Sequence, residues 1–274
     1  MWIRKKELRA LSEAVRKAID GQDVDLRDNK EGELSILKND IHTLIHIEKE
    51  QKEYEKKEKE VLAKYLADIS HQIKTPLTST MLLANLLPDA PKEKQQIFLM
   101  QMKKEFAHME WLVSTILKMA RLDSKAVEFH MEHVQLSALV DSAIAPLNIL
   151  LDIRDQKVEA LHDMELFCDK RWTAEALSNL IKNASENSPL GSRITIDCGR
   201  NPIFFFISIT DCGVGIPKEK LHTLFTRFYN SQSENGYGIG LPLALSIMKA
   251  QNGDIDVTQE PGQSGTTFTM KFYK

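Results

Sequence analysis

His71 is followed by Gln72-Ile73-Lys74-Thr75 and then Pro76-Leu77, in a stretch where Leu62, Leu66, Ile69 and Ile73 recur at heptad steps. At about 100° per residue that apolar seam points one way and His71 almost the other, with Lys74, Thr75 and Thr78 on the same outer stripe. An exposed neutral imidazole is a good nucleophile near pH 7, where an unperturbed histidine is mostly unprotonated. Pro76 lacks an N–H and crowds the carbonyl of Gln72, at a cost of about 3 kcal/mol in mid-helix, so a bend beside the histidine is expected.

A second group of residues lies about a hundred positions on. Asn179, Asn183 and Asn187 recur every four residues and form one helical stripe, beside an apolar stripe of Leu177, Leu180, Ile181 and Ala184. The apolar stripe is expected to pack on a sheet and the amides to face a cleft, where their hard, neutral oxygens suit Mg²⁺ shared with phosphate groups. Asp211 ends an apolar strand and precedes Gly213 and Gly215, so its carboxylate can enter a pocket while the glycines let backbone approach a ligand closely. Gly236, Gly238 and Gly240 lead into a helix at Leu241, whose free N–H groups could receive phosphates, and a glycine-rich segment suits a lid. Their spacing is not the dinucleotide fingerprint, because no third glycine follows at the right place.

In sequence and order, the His71 segment, Asn179 to Asn187, Asp211-Cys212-Gly213-Val214-Gly215 and Gly236-Tyr237-Gly238-Ile239-Gly240 resemble the boxes of sensor histidine kinases. Leu224-Phe225-Thr226-Arg227-Phe228 resembles the phenylalanine box that packs the lid of that family, and Gly265-Thr266-Thr267-Phe268 its last short box. The resemblance implies ATP-dependent autophosphorylation on His71 and transfer of the phosphoryl group to an aspartate of a response-regulator receiver domain. It also implies a phosphatase role in which Thr75 orients water, with Asn183 as the Mg²⁺ ligand and Asn179 assisting at the phosphates. Asn187, Gly213, Gly215, Arg227, Gly236, Gly238, Gly240, Leu241 and Thr266 are the remaining nucleotide-site positions it suggests, Arg227 at the phosphates. Asp211 would accept from the exocyclic amine of adenine. Guanine offers a carbonyl at that edge, and the acceptor-to-acceptor mismatch costs about 1–3 kcal/mol, so ATP should be preferred to GTP.

Two departures from the family pattern stand out. An acidic residue usually follows the acceptor histidine, whereas Gln72 is far too weakly basic to take a proton at neutral pH. Glu186 and Asn187 occupy positions where many relatives have a lysine and an aromatic. They motivate a rival reading, a non-enzymatic dimeric scaffold with a decayed ATP site. An ATPase of the topoisomerase or chaperone type is the other rival; it leaves a helix pair presenting His71 unexplained.

The elements that must position these groups are legible in outline. Residues 1–20 read as a helix, 21–32 as a polar break, and helix restarts near Glu33 with Leu34, Leu37, Ile41 and Leu44 at heptad steps. This layout resembles a degenerate HAMP relay, with Glu31-Gly32-Glu33-Leu34 opening its second helix, and Glu48 to Glu60 is a charged, solvated helix. After Pro88 and Pro91 a further helix carries Leu99, Met102, Phe106, Met109, Val113, Ile116 and Ala120 at steps of three and four. Two helices cannot hide two such seams, so a homodimer forming a four-helix bundle is expected. Asp123 and Ser124 end this unit, and a hinge to His133 follows.

Beyond the hinge, a helix over Leu136 to Ile153, strands over Arg193–Cys198, Ile203–Thr210, Asp254–Thr258 and Thr266–Tyr273, and helices over Arg171–Ser188 and Leu241–Gln251 are expected. The resemblance implies the α+β two-layer sandwich shared by histidine kinases and gyrase-type ATPases. The expected domains are a HAMP-like or signal-relay linker over 1–57, a dimerisation and phosphotransfer hairpin over 58–126, and a catalytic ATP-binding domain over 127–274.

Composition sets the outer limits. The chain has 274 residues, 42% hydrophobic and 27% charged, enough for one or two ordinary cores. A formal net charge of −3 argues against nucleic-acid binding. Cys168, Cys198 and Cys212 lack metal-ligand spacing and read as small buried thiols, reduced in a cytoplasmic setting. The pairs His42/His46 and His130/His133 have helical spacing but lack convincing partners for a metal. No uninterrupted apolar run nears the roughly twenty residues of a membrane span. Met1-Trp2-Ile3-Arg4-Lys5-Lys6 resembles the cytoplasmic exit of a membrane helix, so membrane contact is expected only through a sensor segment preceding this sequence.

Overall fold

The computed structural model describes residues 2–19, 24–27, 33–227, 238–259 and 265–274. The chain divides into two compact units, 1–69 and 70–274. The first holds helix α1, Trp2–Ile19, and the beginning of α2, Glu33–Leu86. Leu11 and Leu26 are buried in it, whereas Leu37, Leu44, Leu62 and Leu66 stand exposed along α2. Glu31 and Gly32, half of the HAMP-like tetrad, lie outside the described residues.

The second unit begins with the end of α2, followed by α3, Lys92–Asp123. The residue ahead of α3 is Pro91, with φ −54° and ψ 145°, a fixed extended entry that lacks a donor the helix would leave idle in any case. α2 stays helical through Pro76. Around it the hydroxyls of Thr75, Thr78 and Thr80 donate to the carbonyls of His71, Lys74 and Pro76, a back-bonding pattern that tends to curve a helix. Leu99, Phe106 and Val113 of the expected seam are exposed in the single chain. A different stripe of α3 is buried, Leu112, Thr115, Met119 and Leu122, and it serves the ATPase-like portion that follows.

That portion contains β1 (Met131–Gln135), α4 (Leu136–Ile144), a 3₁₀ turn (Ala145–Leu147), α5 (Asn148–Ile153), β2 (Lys157–Ala160), β3 (Glu165–Asp169) and α6 (Lys170–Asn187). After these come β4 (Arg193–Arg200), β5 (Phe204–Thr210), α7 (Lys218–Leu221), α8 (Gly240–Ala250), β6 (Gly253–Thr258) and β7 (Thr267–Tyr273). β2-β4-β5-β7-β6 form a five-stranded sheet, parallel between β2 and β4 and antiparallel elsewhere, and β1 pairs with β3 in a separate antiparallel ribbon. Ile194, Ile196, Ile207, Ile209, Phe268 and Met270 are fully buried, as are Leu177, Leu180 and Ile181 of α6 and Ile247 and Met248 of α8. Each such side chain contributes about 1.5–3 kcal/mol by leaving water, and together they form the core of a two-layer α+β sandwich.

Three expectations change. The helix over Leu136 to Ile153 is broken at Pro146 into α4 and α5, because proline fits the first turn of a new segment better than the interior of an old one. This stretch also has a mean hydropathy of 1.6 over 18 residues, membrane-like by composition, which counting uninterrupted apolar runs overlooks. Here Leu136, Leu139, Val140 and Ala143 of it are buried within the domain. Of the three free thiols only Cys168 is buried; Cys198 is half-buried and Cys212 exposed, since it lies past the end of β5.

Candidate active site

α6 is the backbone of the site. Its N-cap is Asp169, whose Oδ1 accepts from the amide of Trp172 at 2.9 Å while Oδ2 accepts from that of His130 at 2.8 Å. With Leu177, Leu180, Ile181 and Ala184 turned into the core, Asn179 and Asn183 are left half-buried and Asn187 exposed on the opposite side. Asn179 Nδ2 donates to the carbonyl of Glu175, and Asn187 Nδ2 to that of Asn183, both at 2.8 Å. With its Nδ2 spent on the helix backbone, Asn179 turns its amide oxygen toward the start of α8, an acceptor of the kind a hard cation or its waters use.

Asp211 follows β5 and is 4% exposed. Its N–H donates to the carbonyl of Thr266 at 3.0 Å, and its Oδ1 accepts from the amides of Gly213 at 2.8 Å and Thr266 at 3.0 Å. Among the described residues Oδ2 makes no hydrogen bond, so the carboxylate is oriented with one acceptor to spare. Burial pushes its pKa up, and the two amide donors pull the other way. Thr266 is buried, and its hydroxyl accepts from Gln259 Nε2 at 3.4 Å.

The glycines are fixed by crowding. A Cβ on Gly213 would lie 2.5 Å from the carbonyl oxygen of Asn187, and one on Gly240 2.9 Å from Asn179 Oδ1. Thus the end of α6 abuts the Asp211 loop, and the first asparagine of the stripe abuts the start of α8. Gly215 and Gly238 take φ values of +82° and +64°, which glycine adopts at no steric cost. No side chain caps the N-terminus of α8, and Pro242 supplies no N–H, so the amides of Gly240 and Leu241 head that helix. Gly236 lies outside the described residues.

Asp211, Gly213, Thr266 and Asn187 are therefore gathered where α6 meets the loop after β5, Gly215 lies against Gln259, which donates to Thr266, and Asn179 and Gly240 meet nearer the start of α6. His71, Gln72 and Thr75 lie apart on α2: His71 and Thr75 are exposed, Gln72 is half-buried, and Thr75 Oγ1 donates to the carbonyl of His71 at 3.2 Å. No hydrogen bond or ion pair among the described residues joins His71 to the nucleotide-site residues. Arg227, expected at phosphates, instead donates to both oxygens of Asp123 at the end of α3, at 2.9 and 2.8 Å.

Sequence reasoning missed what holds α3 against this site. Lys118 Nζ lies 2.8 Å from Glu175 Oε1, and Lys182 Nζ sits 5.2 Å from the centroid of Trp111. Glu175 and Lys182 both belong to α6, within one turn of Asn179 or Asn183. Glu186 is paired with Lys182 at 3.8 Å, and its pKa is raised by burial against the pull of Lys182 and Arg154. The sequence signal was a second apolar stripe on α3, offset from the heptad seam.

Comparison with known proteins agrees with this geometry. A family model described as the His Kinase A (phospho-acceptor) domain matches residues 61–125. Another, described as the histidine kinase-, DNA gyrase B-, and HSP90-like ATPase, matches residues 168–274. Sensor histidine kinase WalK of Bacillus subtilis is 30% identical over 221 residues, covering 76% of this chain and 36% of that protein. Sensor protein SrrB of Staphylococcus aureus is 30% identical over 230 residues, covering 77% of this chain and 38% of SrrB. The chain thus spans little more than a third of these relatives. Among solved structures, Acinetobacter baumannii histidine kinase AdeS superimposes with a TM-score of 0.62 at 23% identity, covering 74% of this chain and 97% of AdeS. Histidine kinase ThkA in complex with response regulator protein TrrA gives 0.62 at 19% identity, covering 83% of this chain and 66% of that one, so both share the fold.

Proposed function

The chain belongs to the sensor histidine kinases, and on that premise we propose that it transfers the γ-phosphoryl group of ATP to His71 and then to an aspartate of a response-regulator receiver domain. The observation that carries the reading is Asp211. A buried carboxylate held by two backbone amides, with a second oxygen unused, is shaped to accept from the adenine amine. The phospho-acceptor match over 61–125 separates this chain from topoisomerase- and chaperone-type ATPases.

An imidazole nitrogen of His71 attacks the γ-phosphorus in line, an N–P bond forms, and the bond to the ADP oxygen breaks. The proton left on the ring must go to solvent or another base, because Gln72 cannot hold it. The protein's contribution is positioning and charge stabilisation. Asp211 and the Gly213 and Thr266 backbone seat the base, Asn187 and Gly215 border it, and the amides of Gly240 and Leu241 face the phosphates. The half-buried amides of Asn179 and Asn183 on α6 offer hard, neutral oxygens that suit Mg²⁺, which would neutralise phosphate charge, with Asn183 as the ligand. Gly238 and the Gly236 segment serve the lid, and Arg227 reaches the phosphates when released from Asp123.

Two copies associate through the exposed seams of α2 and α3 as a four-helix bundle, with a relay over 1–57, a phosphotransfer hairpin over 58–126 and the ATP-binding domain over 127–274. Thr75 orients water for dephosphorylation of the regulator. The chain is the cytoplasmic part of a membrane sensor. Incubation with labelled ATP tests the reading: acid-labile, alkali-stable label is expected on the parent and absent from His71→Gln, which should still bind ATP. Label surviving in His71→Gln would refute the acceptor.

A further inference from the structure

α6 ends at Asn187, and the next residue, Ser188, turns extended with φ −94° and ψ 154°. Helix ends leave carbonyls without intrahelical partners. Here the carbonyl of Ser185 accepts from the Ser188 amide at 3.3 Å and, from a distance, from Gln156, which follows α5 and is 6% exposed. Its Nε2 lies 3.2 Å from the carbonyl of Ser185, 2.9 Å from that of Pro189 and 3.2 Å from Ser192 Oγ, and its Oε1 accepts from Ser185 Oγ at 2.5 Å. An amide nitrogen has two protons for those three acceptors, so one proton is shared and none is idle. One side chain therefore grips both flanks of the bend at Ser188.

The bend is where α6 meets the loop carrying Asp211. Ser188, itself 4% exposed, accepts the amide proton of Cys212 on Oγ at 3.2 Å, and its carbonyl accepts from Arg154 at 2.8 Å. The carbonyl of Asn187 presses on Gly213 so closely that a methyl group would not fit. Gly213 in turn donates to Asp211 Oδ1. The direction of the free Asp211 oxygen thus depends on Gly213 and Cys212, and their position depends on a bend whose shape Gln156 sets.

We infer that Gln156 is a positioning residue for the base-recognising carboxylate, and that it helps set the preference of the site for adenine over guanine. This rests on the nucleotide reading given under Proposed function. Gln156 touches no nucleotide; it acts through Ser188 and Gly213. A misplaced Asp211 gains little from an adenine amine and repels a guanine carbonyl less, so selectivity falls faster than binding as a whole.

The experiment is calorimetric binding of MgATP and MgGTP to the full chain and to Gln156→Leu, with Ser188→Ala as a second variant. Ser188→Ala removes only the acceptor for the Cys212 amide and decides the matter if Gln156→Leu does not fold. The ratio of ATP to GTP affinity is expected to drop about tenfold in each folded variant, the loss of one well-aligned polar match. Equal loss of both affinities, or a ratio equal to the parent's, would show that the network merely stabilises the fold and overturns the inference. A parent that binds neither nucleotide overturns the functional reading itself, and this inference with it.

Discussion

Asp123, the last residue of α3, accepts from Arg227 on both carboxylate oxygens, 2.8 Å to Oδ1 and 2.9 Å to Oδ2. A planar guanidinium fits a carboxylate in this two-pronged way, which gives direction as well as attraction. Both side chains remain partly open to water, 49% for Asp123 and 31% for Arg227, so the pair contributes about 0–1 kcal/mol. A contact that weak is suited to release. It joins the end of α3 to the segment after α7 and fixes the direction of the Arg227 guanidinium.

Replacing Asp123 by Asn should therefore speed autophosphorylation several-fold without changing ATP affinity, while Arg227→Gln should slow it if the same guanidinium serves the phosphates. Single-turnover rates and ATP titration of the two variants separate these effects. Equal rates in Asp123→Asn and parent would show that the pair does not restrain the kinase.

Gln72 stands beside His71, the proposed acceptor, with no capacity to receive its proton. Gln72→Glu should raise the autokinase rate by about tenfold, at the low end of the usual contribution of a positioned base. A single-turnover rate that stays level or falls would mean that solvent already takes the proton efficiently.

Burial holds the Asp211 carboxyl above its ordinary value of 3.8. A group that binds its proton more tightly when folded lends stability that is complete below 3.8 and lost as pH rises through the folded pKa. In urea titrations of the nucleotide-free protein, unfolding free energy should fall with pH across that window, and Asp211→Asn should flatten the fall. Parallel profiles for the two proteins would assign the slope to other groups.

Gly265 adopts φ +118°, and a Cβ there would collide with the backbone carbonyl oxygen of Asp211. Gly265→Ala should cost at least about 1–3 kcal/mol from backbone strain alone and should abolish ATP binding. Gly191, at φ +71°, has no heavy atom nearer than 4.0 Å to that position, so Gly191→Ala should show modest destabilisation and unaltered ATP affinity. Thermal melts and calorimetry on both variants measure the difference, and similar ATP affinities in the two would remove crowding as the cause.

Much was legible in the chain itself because the signals are local. A heptad seam and a 100° helical step place His71 on an open face, and the structure leaves it exposed. Alternation in Phe268, Met270 and Phe272 marks one side of β7, and all three are buried. A four-residue period separates Asn179, Asn183 and Asn187 from the core stripe of α6. Strands β1, β2 and β3 were not anticipated, since four or five residues with charged neighbours carry too little periodicity to distinguish them from loops.

What only the tertiary structure decided is which distant residues share an atom's surroundings. Gln156 and Ser185 are 29 positions apart, and Arg227 and Asp123 are 104 apart. Periodicity speaks of one element's faces, whereas pairing across such separations depends on how packed layers bring ends of elements together. The chain alone determined the chemistry and its order, an exposed imidazole ahead of a carboxylate among glycines. Folding determined how that carboxylate is aimed and which charges the side chains of α3 engage, because both are properties of burial and contact.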